Sequence, residues 1–149
     1  FRINKDNELY IPEIPSKSTQ GNLSFYGFTP VILMYKDNDS VNFTFDTGAG
    51  QTMLYKPYLE KYSKEIIGNY EMVDINVGGA GGTKTVKGYR IKDIKLGTGQ
   101  SETTLCNVSL LSEYLKEKDN YFFGNLGQDY ISKFNEMTIN FEDMFIQFK

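Results

Sequence analysis

Short runs of alternating apolar and polar residues, separated by turns rich in glycine, asparagine or aspartate, recur along most of this chain. In the clearest run, Val41, Phe43 and Phe45 alternate with two polar residues, which is the period of a half-buried β-strand. A tight hairpin turn at 36–40 leads into it. Further strands are predicted at 28–35, 70–77, 83–86, 89–91, 91–96, 103–108, 137–141 and 144–148. Many short strands at regular spacing are typical of an all-β barrel.

Apolar residues recur with the spacing of a helix only in short segments. Residues 56–62 have Pro57 near a first turn, and 128–134 place their apolar residues on one face, so both predict short helices. Leu110–Lys116 also has helical spacing, which we interpret as core packing. We predict an extension over residues 1–27, with a possible edge strand at 9–12, followed by one domain over residues 28–149.

Composition excludes several classes of function. The net charge is -3 and no basic cluster occurs, which argues against a nucleic-acid partner. No run of 18 apolar residues is present, so we predict no membrane span. Histidine is absent, which removes Ser-His and Cys-His couples and the commonest zinc ligand. Any chemistry must use carboxylates, Lys, Tyr or the backbone, and we predict neither a metal nor a cofactor.

The single cysteine, Cys106, cannot form an internal disulfide. Its place in an apolar–polar alternation predicts a buried structural thiol rather than a nucleophile. Because the chain has no internal disulfide, its cysteine content is compatible with both the cytosol and a periplasm. Because the chain starts at Phe1 and is rich in Lys, Asn and Tyr, we expect a processed piece of a bacterial periplasmic or envelope protein.

Asp46 is the first candidate for chemistry, because it ends the clearest strand and is followed by Thr47, Gly48 and Ala49. Two interpretations fit this pattern. Asp-Thr-Gly is ordinary turn chemistry, in which the aspartate closes an Asx-turn and the glycine takes a positive φ. Alternatively, a strand end followed by small residues can hold a catalytic acid rigidly in a cleft.

A glycine-rich segment lies between two predicted strands. Its residues are Gly78, Gly79, Ala80, Gly81 and Gly82. A phosphate-binding loop is one interpretation, but such a loop needs a helix after the glycines. The following residues, 83–86, are strand-like instead, so we predict the bendable tip of a β-hairpin.

The segment Phe45-Asp46-Thr47-Gly48-Ala49 after a hydrophobic strand resembles the active-site loop of the retropepsin-like aspartic proteases. A second similarity lies at 124–131, followed by Phe134 and 138–141, which resembles the glycine turn, helix and strand hairpin at the C-terminus of that family. The resemblance spans about residues 28–148 and is close to the bacterial aspartyl proteases of the retroviral type. Asn125 departs from the aliphatic residue that the family usually has before Leu-Gly.

The resemblance implies a closed, acid-protease-like barrel with a flap at 78–82 and an extended polypeptide as substrate. The family's mechanism uses two aspartates that share one proton, and this chain supplies one Asp-Thr-Gly. Asp74, Asp93 and Asp129 are not in that context, and Asp129 is expected to be a helix cap or dipole partner. A second Asp46 must therefore come from a homodimer or a partner domain.

The resemblance also implies supporting roles around Asp46. Thr47 would hold the loop in place by a hydrogen bond across the twofold axis of a dimer. Gly48 would leave room for the substrate main chain, and the flap would cover the peptide. Two non-enzymatic alternatives stay open. One is a catalytically silent module for peptide binding or dimerisation, and the other is a structural β-domain of a larger surface protein.

Overall fold

The computed structural model describes residues 2–4, 9–10, 21–79, 81–99, 104–113 and 121–149. Within these residues the chain forms twelve strands and three short helices. The strands are β1 (Arg2–Asn4), β2 (Leu9–Tyr10), β3 (Leu23–Tyr26), β4 (Thr29–Lys36), β5 (Asp39–Phe45), β6 (Met53–Leu54), β7 (Met72–Gly79), β8 (Gly82–Leu96), β9 (Thr104–Leu111), β10 (Gly124–Leu126), β11 (Glu136–Asn140) and β12 (Phe145–Phe148). The helices are α1 (Lys56–Lys61), α2 (Ser63–Ile67) and α3 (Gln128–Ile131). The protein is therefore mostly β, as predicted.

The strands form two sheets. The larger one has eight strands in the order β3-β4-β5-β10-β6-β9-β8-β7, and the smaller one has the order β12-β11-β1-β2. The larger sheet is mixed, because β10 runs parallel to β5 and β6 runs parallel to β9. The parallel pairing of β10 with β5 brings the residues just before Gly127 beside the end of β5, which Asp46 follows directly.

The predicted closed barrel is wrong for the part of the chain that the structure describes. There β3 and β7 are the two ends of the larger sheet, and no pairing joins them. The first half of β8 pairs with β7 alone, and its residues 82–85 are exposed, so this hairpin projects beyond the sheet. A strand shows the same alternation of apolar and polar residues in an open sheet and in a closed barrel. The sequence pattern therefore could not show whether the sheet closes.

Most predicted elements are confirmed, with three corrections. Leu110 and Leu111 are fully buried residues of β9, so the helical interpretation of 110–116 is wrong where it is described, and 114–116 lie outside the described residues. The predicted strands at 83–86, 89–91 and 91–96 are one continuous strand, β8, with an irregularity between Ile91 and Ile94. The described residues form three short helices rather than one or two, because α2 follows α1 directly.

The N-terminal segments join both sheets. β2 is the edge of the smaller sheet, as predicted for this segment, and Ile11 and Pro12 lie outside the described residues. β1 pairs with β11, and β3, which the pattern did not predict, pairs with β4. The boundary after residue 27 stays a prediction.

The core lies under the larger sheet and is closed by α1, α3 and the β11–β12 hairpin. Its largest fully buried side chains include Phe43, Tyr58, Tyr130 and Phe148. Buried apolar surface of this kind is the main stabilising contribution in a domain of this size. The buried Asn22 joins the sheets, since its amide donates to the carbonyl of Ile146 at 2.9 Å and its Oδ1 accepts the Ile146 N–H at 2.7 Å.

Candidate active site

Asp46 is the first residue after β5. Its backbone N–H donates to the carbonyl of Leu126 at 3.2 Å, which continues the parallel pairing of β5 with β10 by one residue. The preceding side chain, Phe45, is buried, whereas the Asp46 side chain is exposed. A carboxylate that follows a buried strand in this way is held by the sheet yet open to solvent.

The loop after Asp46 forms the Asx-turn of the first sequence interpretation. Oδ1 of Asp46 accepts the Gly48 N–H at 2.9 Å, and the Asp46 carbonyl accepts the Ala49 N–H at 3.1 Å. Gly48 does not adopt a positive φ, so that part of the interpretation is wrong. Among the described residues, none donates a hydrogen bond to Oδ2 of Asp46, which leaves this oxygen available to a bound molecule.

The turn at Gly127 and Gln128 supports the Asp46 loop through hydrogen bonds. The Gln128 side chain donates to the carbonyl of Thr47 at 2.7 Å, and the Gln128 N–H donates to the carbonyl of Ala49 at 2.8 Å. The Gly127 N–H donates to the Thr52 hydroxyl at 3.0 Å. The two segments that carry the sequence resemblance are therefore in direct contact.

Asp129 also contributes to this support. Its Oδ1 accepts the Thr52 N–H at 2.7 Å, while the N-cap of α3 is Gly127 and makes no side-chain capping bond. Asp129 is thus not the predicted cap, although its place in the first turn of α3 fits a dipole partner. The carboxylate instead fixes the end of the Asp46 loop.

The loop lies against one wall of a cavity of about 750 Å³. This volume is within the range of pockets that bind small molecules. Its lining residues come from the Asp46 loop, β4, β5, β6, α1, β7, β10 and the segment before β10. They are Thr29, Thr44, Asp46, Gly48, Ala49, Gly50, Gln51, Met53, Tyr55, Lys56, Pro57, Asn76, Val77, Gly78, Gly79, Phe122 and Asn125.

The glycine-rich hairpin is confirmed and lies at the same cavity. β7 and β8 pair up to Gly79 and Gly82, and strand rather than helix follows the glycines, which contradicts the phosphate-loop interpretation. Gly78 and Gly79 line the cavity, whereas Gly81 and Gly82 are exposed and are not in its lining. Ala80 lies outside the described residues.

The described lining of the cavity contains a single acid. Among its described lining residues, Asp46 is the only carboxylate and Lys56 the only cation. Asp74 pairs instead with Lys87 at 2.7 Å on the β7–β8 hairpin, and neither Asp93 nor Asp129 lines the cavity. The described part of one chain therefore presents one carboxylate to a bound molecule.

Two polar residues beside Asp46 were not assigned a role from the sequence. The Thr44 hydroxyl donates to Oδ1 of Asn125 at 2.7 Å, and both residues line the cavity. Asn125 was noted only as a departure from an aliphatic pattern. One feature of the sequence could have identified Thr44: it occupies the polar side of the β5 alternation, two residues before Asp46.

Cys106 is a free, buried thiol, as predicted. Burial raises its pKa to about 11, so the thiol is protonated at neutral pH and is a poor nucleophile. The described residues contain no group of three or more Cys, Asp or Glu side chains placed to hold a metal ion. Of the described helices, none is long and apolar enough to cross a membrane.

The sequence matches no protein-family model and has no significant match among curated proteins.

Proposed function

We propose that this chain is one half of an aspartic endopeptidase. The observation that carries the proposal is the placement of Asp46, which is exposed at a strand end, is held by the Gly48 N–H and lines a cavity that also contains the glycine tip residues Gly78 and Gly79. The resemblance of the Asp-Thr-Gly-Ala segment to the retropepsin-like family supports the same reaction class.

The proposed chemistry needs two carboxylates. Two such groups about 3 Å apart cannot both ionise, so they share one proton. The ionised member accepts a proton from a bound water, and the protonated member donates a hydrogen bond to the scissile carbonyl. The water then attacks the carbonyl carbon, so no nucleophilic side chain is required. This agrees with a chain that contains no histidine.

The second carboxylate is supplied, in this proposal, by Asp46 of a second copy or by a partner domain. A twofold axis beside Asp46 would bring the same residue to both sides of the cavity. Thr47 is exposed on this loop and would contact its own copy across the axis, and Gly48 would leave room for substrate main chain.

The substrate we propose is an extended polypeptide. The hairpin tip at 78–82 is rich in backbone donors and acceptors and carries almost no side chains, so it can pair with a peptide backbone as a covering strand. A Cβ added at Gly78 or Gly79 would meet nothing within 4 Å, so open space surrounds this part of the tip and a peptide backbone can approach it.

A second candidate function is a peptide-binding or dimerisation module that does not cleave. The observation that favours it is the single carboxylate among the described lining residues of the cavity. Such a module would use the same cavity and hairpin, with Asp46 serving as a hydrogen-bond acceptor for a peptide N–H.

The test is cleavage of a mixture of quenched-fluorescent peptides by the wild-type chain and by Asp46→Asn. The asparagine Oδ1 can still accept the Gly48 N–H, so the loop is expected to keep its geometry. Cleavage should fall by about 100-fold or more, the range for loss of a general base. Asp74→Asn is the matched control, since Asp74 is also an exposed aspartate and does not line the cavity.

Two results would contradict the peptidase proposal. One is equal cleavage by the wild type and Asp46→Asn, which would point to a contaminating protease. The other is peptide binding without any cleavage by the dimeric wild type, as followed by fluorescence anisotropy and mass spectrometry. The latter result would favour the binding module.

A further inference from the structure

The Asp46 cavity has a basic group as well as an acidic one in its described lining. Lys56 is the only cation among those residues, and Asp46 is the only carboxylate. The two groups lie on different elements, since Asp46 follows β5 and Lys56 is the first residue of α1. A bound molecule therefore meets an acid and a base at two separate places in one cavity.

Strand pairing places these two groups at opposite ends of the cavity. Thr44, Asn125 and Met53 lie side by side on β5, β10 and β6, and all three line the cavity. Asp46 lies two residues beyond Thr44. Lys56 lies three residues beyond Met53 in the opposite direction, because β6 runs antiparallel to β10. With strands about 4.8 Å apart and about 3.3 Å per residue, the two backbones are separated by roughly 15 to 20 Å.

The backbone at Lys56 is held in place on both sides. The Tyr55 N–H donates to the carbonyl of Phe123 at 2.9 Å, and the Tyr55 carbonyl accepts the Tyr58 N–H at 2.9 Å. Pro57 follows in the first turn of α1, where its ring fixes φ. The Lys56 side chain is 33% exposed, as is usual for a lysine whose stem is packed and whose ammonium group reaches water. Such a cation is preorganised for a ligand.

The stability of α1 does not account for a cation at this position. A positive charge in the first turn of a helix faces the positive end of the helix dipole. The Lys56 Nζ lies 3.8 Å from Oε1 of Glu60, but both side chains are partly exposed and Lys before Glu is the less favourable order, so this pair stabilises little. An ammonium group has three N–H donors, so Lys56 can bind a further carboxylate beside Glu60.

We propose that Lys56 binds the carboxylate of an acidic side chain in the peptide, so that the cavity selects peptides with Asp or Glu at one position. The inference rests on the proposed function, because it names the substrate class of the same cavity. An extended peptide rises about 3.3 Å per residue, which places the acidic side chain roughly four to six residues from the bond at Asp46. An acidic side chain next to Asp46 would instead meet a like group.

The first experiment measures kcat/KM of the wild type for a set of peptides in which Glu or Gln is moved through the sequence one position at a time. All peptides are acetylated and amidated, so the only added carboxylate is that of the side chain. We expect the Glu peptide to be cleaved about 5- to 20-fold better than the Gln peptide at one position, the range for a hydrogen bond to a charged group. The difference should lie in KM, because the ion pair is the same before and in the transition state.

The second experiment repeats the comparison with variants of Lys56. In Lys56→Gln the ratio of the Glu to the Gln peptide should fall to about one, and Lys56→Arg should retain a preference for Glu. Lys56→Glu should prefer a peptide with Lys at the same position. The matched controls are Lys64→Gln and Lys64→Glu, because Lys64 is exposed on α2 and does not line the cavity. They change the net charge equally and should keep the wild-type ratio. Thermal unfolding checks that all variants are folded.

The outcomes separate this inference from the proposed function. A wild type that cleaves the Glu and Gln peptides equally well at every position overturns the selection and leaves the peptidase intact. An equal loss of preference in Lys56→Gln and Lys64→Gln overturns it too, since net charge is then the cause. So does a preference that appears only with a free C-terminus, because the chain end is then the ligand.

If no peptide is cleaved, the peptidase proposal fails and binding tests the inference by itself. Fluorescence anisotropy then gives the dissociation constants of the labelled Glu and Gln peptides. A preference for Glu that Lys56→Gln removes and Lys64→Gln keeps would support the inference for a binding module. Equal dissociation constants in the wild type would overturn it.

Discussion

The Thr44 hydroxyl donates a 2.7 Å hydrogen bond to Oδ1 of Asn125, between residues that are 81 positions apart in the chain. The bond joins two parallel strands, β5 and β10, immediately before Asp46. Asn125 is buried, so its amide oxygen would lose its partner in a low-dielectric environment if Thr44 were changed. This side-chain pair therefore holds the strand end that carries the candidate catalytic acid.

We expect Thr44→Val to lower the free energy of unfolding by about 1 kcal/mol, because it leaves the Asn125 oxygen unpaired. The double variant Thr44→Val, Asn125→Leu should lose less free energy of unfolding than the two single variants lose together. The coupling free energy comes from urea denaturation of the four proteins in the cycle.

The β7–β8 hairpin supplies a matched control for this cycle. There Thr85 donates to Oδ1 of Asn76 at 2.8 Å, but both residues are exposed. The same pair of changes at Thr85 and Asn76 should show a coupling free energy close to zero, because water replaces the bond. Equal coupling in the two cycles would contradict a special role for the buried pair.

Gly127 has no space for a side chain. A Cβ at this position would lie 2.6 Å from the backbone carbon of Gln51 and 2.9 Å from the carbonyl oxygen of Ala49. Gly127→Ala must therefore displace the Asp46 loop, and we expect a loss of about 3 kcal/mol in the free energy of unfolding. Cleavage should fall in parallel.

Gly50→Ala is the control for this change, since nothing lies within 4 Å of the Cβ that it would add. We expect its free energy of unfolding to differ from the wild type by less than about 1 kcal/mol. Chemical denaturation of both variants tests the difference. Similar losses in the two variants would show that the loop does not depend on close packing at Gly127.

Tyr58 and Tyr130 each bury a hydroxyl that has no hydrogen-bond partner among the described residues. Burial raises the pKa of both phenols well above the usual value, so both stay neutral. We expect Tyr58→Phe and Tyr130→Phe to keep the free energy of unfolding or to raise it by about 1 kcal/mol, because an unpaired buried hydroxyl is unfavourable.

Tyr62→Phe is the contrasting variant. The Tyr62 hydroxyl donates to Oδ2 of Asp39 at 2.7 Å, and its ring centroid lies 4.5 Å from that of Tyr58. Removal of this hydroxyl should lower the free energy of unfolding by about 1 kcal/mol. Thermal melts of the three phenylalanine variants test the order, and a destabilised Tyr58→Phe would disprove the unpaired hydroxyl.

The raised pKa of the Cys106 thiol predicts that the free energy of unfolding depends on pH. Its folded pKa of about 11 lies above the ordinary value of 9.0, because burial disfavours the thiolate. Between these values the unfolded chain has lost the thiol proton and the folded chain still holds it. Stability is therefore fully present below pH 9 and falls as the pH rises toward 11.

Urea denaturation of wild type and Cys106→Ala at several pH values between 8 and 11 isolates this contribution from that of the tyrosines. The wild type should lose more stability over this range than the variant. The native thiol should also resist a disulfide reagent at pH 8 and react once the chain is unfolded. Rapid labelling of the native protein would contradict the burial.

Local sequence was sufficient for the individual elements near the site. The alternation that ends at Phe45 predicted β5, and the glycine tip predicted the β7–β8 hairpin, because both depend on neighbouring residues. The place of Asp46 at the end of this strand was predicted in the same way, whereas its exposure is seen only in the structure. The helical interpretation of Leu110 failed because a run of buried leucines fits a helix and a central strand equally well.

Only the tertiary structure decided which elements meet. Alternation does not indicate that β10 lies beside β5, that Asn125 pairs with Thr44, or that the larger sheet keeps two edges among its described strands. The physical reason is that a strand's period is set by its own residues, whereas pairing is set by contacts between segments tens of residues apart.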